Sequence, residues 1–341
     1  MTTTLPATDT MMKAVVKTGA GVANVVVTEV PVPFTPPGFA RVRVLATGIC
    51  GTDVHVAHDE YGYEPPVVMG HEILGRVVEV GNPDDGRWVG TRVACETYFS
   101  ACERCDMCRA GRRNLCLHRR SLGSFENGGF AEFVILPVLN LHALPEWLGE
   151  YDGALAKPLA CVTHCLLDPP LIQAGDRVFV TGPGAMGQLA AQVALAQGAA
   201  VTLAGLPNDA ERLAVAQKLG IRVTTGTVDD ASFDVVIKCS GSAAGAAAAF
   251  RGARRGARYV QVGIFGRDVL LPFDQVLYKE LRVSSGFAST PTSWRRAMAL
   301  LEQKRVSLGP LVTKQVPLSQ FAAALAATEQ GEGLKTVVIP D

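Results

Sequence analysis

The first 150 positions read as β-structure, and the next 130 alternate between strand and helix patterns. Segments 13–17, 24–28, 40–45 and 75–81 are rich in Val and read as strands, with Pro83-Asp84-Asp85-Gly86 as a turn after the last of them. Between 156 and 287, β-rich runs at 177–180, 200–203, 221–224, 234–237, 258–262 and 281–284 are separated by segments such as 210–219 and 242–251, which read as helices. Strands joined by helical crossovers predict a doubly wound parallel sheet, hence an α/β protein with a β-rich first domain. The tail reads as helices at 293–304 and 320–329 and a strand at 335–339. The expected organisation is a disordered extension (1–11), a β-rich domain (12–155), a dinucleotide-type domain (156–287) and a return to the first domain (288–341).

Charge narrows the partners. Lys and Arg total 32 against 32 Asp and Glu, so no electrostatic argument favours nucleic acid or an acidic membrane. The uncharged stretch 178–208 is long enough to span a bilayer, but it is broken by Gly182, Pro183, Gly184, Gly187 and Gly198, and carries three Gln. It reads as strand, turn, helix and strand, and no membrane span is expected. The chain has nine Cys and no recognisable secretory leader, and its thiols cluster at metal-ligand spacings. A reduced, cytoplasmic compartment is expected.

Three constellations carry chemistry. Gly182-Pro183-Gly184-Ala185-Met186-Gly187 follows a strand and opens a helix, where the glycines allow a tight turn, close approach of a pyrophosphate and close helix–sheet packing. An acidic residue about twenty positions on would normally bind the ribose hydroxyls. Here that tip holds Gly205, with Asp209 and Arg212 beyond it, which leaves NAD and NADP both open. Cys102-x2-Cys105-x2-Cys108-x7-Cys116 can close a tetrahedral sulfur site for a structural zinc. Upstream, Cys50, Thr52, Asp53 and His55 are followed by Gly70-His71-Glu72. Cys50 and His71 have the softness of catalytic-zinc ligands, Asp53 can orient the His71 ring, and Thr52 and His55 have the groups for a proton relay.

With these motifs and Gly128-Gly129-Phe130-Ala131-Glu132-Phe133, residues 12–341 resemble the zinc-dependent medium-chain alcohol and polyol dehydrogenases, such as the sorbitol, butanediol and threonine dehydrogenases. The resemblance implies a GroES-like catalytic domain with an inserted Rossmann domain, a homodimer or homotetramer, and a small alcohol or carbonyl as substrate. By that resemblance Cys50 and His71 hold a catalytic zinc, and Thr52 and His55 relay the proton. It also implies that Ser240, Val262, Gly263 and Ser285 contact the cofactor. Two positions depart from the family pattern. Lys157 stands where polyol-type members place a zinc-binding Glu, and Lys238 replaces the usual Glu after the fourth strand. An ammonium beside the metal disfavours both charges. Lys157 is therefore expected either to lose its proton and act as ligand or base, or to leave Glu72 as the third ligand, the favoured outcome, or to abolish the site. Alternatives to a dehydrogenase are a same-fold imine or activated-alkene reductase and a non-catalytic relative.

Overall fold

A computed structural model of the chain describes residues 7–341. The chain forms two compact units, one running up to Lys157 and resuming at Val312–Asp341, the other covering Pro158–Leu311.

In the first unit, strand Phe39–Gly48 is the hub of a seven-stranded sheet. It pairs antiparallel with Glu72–Val80, with Phe133–Pro137 and with the last strand, Lys335–Ile339. That last strand runs parallel to Val312–Pro317, so the end of the chain completes the sheet begun near its start. Val42, Val44, Ile73, Val77, Val134 and Leu136 alternate inward from these strands and are buried together, as the two-residue period requires. A smaller sheet pairs Ala7–Lys17 with Val25–Pro33 and Val67–Val68. Here the structure corrects the sequence reading: residues from Ala7 onward belong to a strand, with Ala7 opposite Pro33 and Met11 opposite Pro31. Polar composition hid this, because edge pairing uses backbone groups that any residue supplies. Residues 1–6 of the expected extension lie outside the described residues.

One buried cation ties this sheet to the helix Gly51–Ala57. Lys17 is fully buried; its Nζ donates to Ala57 O at 2.8 Å and Gly21 O at 3.0 Å and meets Asp59 Oδ1 at 2.9 Å. Asp59 also accepts from Tyr63 Oη and from Gly21 N, both at 2.6 Å. The Tyr63 hydroxyl, then Lys17, hold the Asp59 carboxyl at about 2 against an ordinary 3.8. Unfolded chains therefore bind this proton more readily than folded ones. The stabilisation is complete above about pH 4 and disappears as pH falls through about 2. Asp59→Asn should lower the melting temperature at pH 7 and flatten its fall between these limits. An unchanged melting profile across that range would contradict it.

In the second unit six strands, β1 (Arg177–Thr181), β2 (Ala200–Ala204), β3 (Arg222–Thr224), β4 (Phe233–Lys238), β5 (Ala253–Gln261) and β6 (Arg282–Ser285), form an all-parallel sheet in the order β3-β2-β1-β4-β5-β6. Helices Ala185–Ala196, Ala210–Lys218 and Ala243–Gly252 make crossovers, while β3 passes to β4 through a short turn. The strand order reverses between β1 and β4, the position where open α/β sheets bind ligands. The return to the first unit comes at Val312, not at 288. Residues 288–311 are fixed within the second unit by specific contacts. Thr163 Oγ1 donates to Ser293 O at 2.9 Å, Ser307 N donates to Gln192 Oε1 at 2.8 Å, and Trp294 is fully buried.

Candidate functional site

Strand register assembles the first cluster. Glu72 lies opposite Gly48, and Val337 lies opposite Gly48 from the other side. After Ile49 the chain turns into the helix Gly51–Ala57, with Cys50 at its N-cap. Cys50 N donates to Asp53 Oδ2 at 2.8 Å, and Asp53 Oδ1 lies 3.3 Å from His71 Nδ1, which leaves the other ring nitrogen for a ligand role. One donor atom each from Cys50, His71 and Glu72 lie within 4.8 Å of one another. Sulfur, imidazole nitrogen and carboxylate oxygen form a zinc-type donor set with three protein ligands. A Cβ at residue 48 would stand 2.5 Å from Glu72 Oε2, so Gly48 provides the room for that carboxylate.

Glu72 has a partner the sequence reading missed. Lys335 Nζ, buried, lies 2.8 Å from Glu72 Oε2 and 2.7 Å from Ile49 O. One Glu72 oxygen is thus held by an ammonium. The signal was a lysine at the head of a buried strand, but its target is 263 residues away. Lys157 is half-buried at the start of the helix Ala156–Leu167. Burial and the Glu72 charge push the Cys50 thiol up, but the hydrogen bond and charge of His71, with the charge of Lys157, prevail and lower it. Burial and Lys157 push His71 down, yet Asp53 and Cys50 raise it to about 9. A metal cation at this cluster would displace the protons that the sulfur and the ring carry without it.

Thr52 Oγ1 lies 3.9 Å from Cys50 Sγ. His55, three residues on, shares its helix face and is partly exposed, and its Nδ1 is 2.6 Å from Glu60 Oε2, a partner not anticipated from the sequence.

The second cluster is the lobe 102–116. The four sulfurs of Cys102, Cys105, Cys108 and Cys116 lie within 4.8 Å of one another, with Cys108 and Cys116 buried. Cys105 N and Cys108 N donate to the preceding thiols at 3.4 and 3.5 Å, and Cys102 N donates to Cys116 Sγ at 3.4 Å. Backbone N–H groups of Arg104 and Cys105 lower the Cys102 thiol to about 6, while burial pushes Cys108 up to about 12. None of the nine Cys is in a disulfide.

In the second unit Gly182 has φ +94°, and a Cβ there would stand 2.7 Å from Ser240 Cα. A Cβ at 187 would meet Gly182 O at 1.9 Å, whereas one at Gly184 would meet nothing within 4 Å. The first and third glycines serve turn and packing, and the second faces open space at the N-terminus of the helix opened by Ala185 and Met186. Ser240 follows β4, while Val262 and Gly263 follow β5, and both Val262 N and Gly263 N donate to Lys238 O. Ser285 ends β6 and is exposed. Gly205 follows β2; beyond it Asp209 Oδ2 accepts from Leu206 N at 2.9 Å and Asp209 Oδ1 lies 3.2 Å from Arg212 Nη1. Among the described residues, no helix is long and apolar enough to cross a membrane.

Residues 36–146 match the alcohol dehydrogenase GroES-like domain, and residues 185–303 match the zinc-binding dehydrogenase domain. The chain is 37% identical to a sorbitol dehydrogenase of Halalkalibacterium halodurans, with 96% of this chain and 99% of that protein aligned. It is 31% identical to a D-arabitol-phosphate dehydrogenase of Enterococcus avium, over 96% and 97% of the two chains. A crystal structure from Sinorhizobium meliloti 1021, assigned as a zinc-binding dehydrogenase and bound to NADP, superposes with a TM-score of 0.88 at 32% identity, covering 97% of this chain and 100% of that one.

Proposed function

The chain belongs to the zinc-dependent medium-chain dehydrogenase superfamily, and from that premise we propose that it transfers a hydride between NAD or NADP and a secondary alcohol, a polyol or the corresponding ketone. The observation that carries this reading is the convergence of Cys50, His71 and Glu72 within 4.8 Å. When bound there, zinc supplies Lewis acidity toward an alcohol or carbonyl oxygen.

This chain's residues do the rest. Cys50, His71 and Glu72 hold the metal; Asp53 fixes the ring of His71 through Nδ1; and Lys335 limits the charge that Glu72 adds. Thr52 and His55 move the substrate's proton outward, with Glu60 as the acceptor beside Nδ1 of His55. Lys157 adds a positive charge that the polyol-type pattern replaces with a carboxylate, so zinc is held more weakly here than in Glu-bearing relatives. Cys102, Cys105, Cys108 and Cys116 form a closed site for a structural zinc with no position left for chemistry.

Gly182, Gly184, Ala185, Met186 and Gly187 cradle the cofactor's pyrophosphate, and Ser240, Val262, Gly263 and Ser285 border its remainder. No carboxylate stands at Gly205 to repel a 2′-phosphate, and Arg212 is the nearby cation, shared with Asp209. Arg212→Ala should weaken NADP binding about fivefold, the order of one solvated ion pair, and leave NAD binding within about twofold. Equal losses for both cofactors, read by calorimetry, would contradict the assignment.

We further propose a homo-oligomer in the cytoplasm. Its support is the edge strand β6, on whose outer side no strand pairs among the described residues, with exposed Val283, and the exposed Leu270, Phe273, Leu277 and Tyr278 that precede it in the chain. Sedimentation measures this directly. The activity is tested by a panel of diols, polyols, amino alcohols and ketones with both cofactors. Zinc-dependent turnover of a polyol or its ketone is expected. Turnover restricted to imines or activated alkenes, insensitive to chelator, would overturn it.

A further inference from the structure

Lys238 is a buried cation without a counter-charge. It ends β4 with none of its surface exposed, and its Nζ makes one hydrogen bond, to Gly263 O at 2.8 Å, under the Phe265 ring, whose centroid is 3.3 Å away. An ammonium has three donors, and one carbonyl and one ring face neither satisfy nor neutralise it. Among the described residues no carboxylate pairs with it. Its ionisable neighbour, Cys239, is pushed up by burial and stays a neutral thiol. Buried charges are ordinarily paired, because leaving one unpaired is costly.

The position supplies the missing partner. In the register of the parallel sheet Thr181 of β1 lies directly across from Lys238, at the point where the strand order reverses, and the ammonium reaches Gly263 O just past the end of β5, where a Cβ at 263 would stand 3.0 Å from Ser240 O. Thr181 Oγ1, across the sheet, and Ser240 Oγ, two residues beyond Lys238, are buried without a hydrogen-bond partner among the described residues, the mark of a site shaped for something else. Gly182, the start of the glycine-rich turn, packs against Ser240. We propose that Lys238 is a charge-selecting residue of the dinucleotide site: the cofactor's negative charge is its counter-ion, and the site favours the reduced dinucleotide over the oxidised one. The oxidised form carries one additional positive charge on its nicotinamide, and a fixed ammonium opposes it. Burial lowers Lys238 to about 8, in keeping with an ammonium short of compensation.

This inference rests on the dinucleotide reading of the second unit. It is tested by titrating adenosine, ADP-ribose, NADH and NAD⁺, the last three also in their 2′-phosphorylated forms, into the full-length protein at pH 7. Wild type should bind NADH more tightly than NAD⁺. Lys238→Met, with Lys238→Gln as a second neutral variant, should weaken ADP-ribose and reduce the NADH preference roughly three- to thirtyfold, the scale of one unit charge acting within a protein. Lys238→Glu should reduce it further, and Lys238→Arg should retain it. A preference unchanged within about twofold in the Met and Glu variants would overturn the proposal, as would an equal loss of every ligand including adenosine, which marks mere collapse of the Phe265 loop. Wild type binding no dinucleotide at all would instead sink the proposed function, and this inference with it.

Discussion

His71→Ala should reduce kcat/KM for the best alcohol by about a thousandfold or more, equivalent to roughly 4 kcal/mol of transition-state stabilisation. The loss comes from removing the nitrogen member of the Cys50–His71–Glu72 cluster, which leaves one sulfur and a carboxylate already shared with Lys335. One zinc per chain should go with the side chain while the other stays. The fold should persist, because His71 and Asp53 meet through a single 3.3 Å contact within a sheet unit held by extensive apolar burial. Full activity in the variant, or loss of both zincs, would show that this cluster is not the reactive metal site.

Cys105→Ser should have the opposite signature. It opens the four-thiol lobe at its centre, where Cys105 Sγ accepts from Cys108 N and Cys105 N donates to Cys102 Sγ. A closed sulfur site supplies folding free energy for a short irregular segment that has little apolar core of its own. The expected result is loss of one zinc and a fall of roughly 5–15 °C in melting temperature, with the surviving folded fraction keeping its kcat. Unchanged stability and metal content would defeat the structural assignment.

What was legible in the sequence was what lies close in sequence. The glycine-rich turn, the four-Cys lobe and the pair Cys50–Asp53 are each built within a few residues, so spacing alone places their atoms near one another. The six strands of the parallel sheet were equally readable, β1 and β4 because buried parallel strands are nearly continuous apolar runs and the others from their alternation with helical segments. Contacts made across the chain were not. Lys335 reaches Glu72 only because the last strand pairs with Phe39–Gly48, and no local pattern announces that pairing. The same cause explains the boundary error near 288. The helix Pro291–Glu302 is amphipathic, but amphipathicity does not reveal which unit covers its apolar face. Trp294 and the Thr163–Ser293 bond settle that only in three dimensions. Lys238 was legible as an oddity, though its burial under Phe265 was not.

The central claim is that this chain carries two zincs, one of them reactive and held by Cys50, His71 and Glu72 despite the nearby Lys157. The most direct measurement is an anomalous-scattering map at the zinc edge from zinc-replete crystals. Two peaks per chain are predicted, one among Cys102, Cys105, Cys108 and Cys116 and one bonded to Cys50, His71 and Glu72. A single peak at the four-Cys lobe, or a second peak bonded to the Lys157 nitrogen in place of the Glu72 carboxylate, would contradict the account.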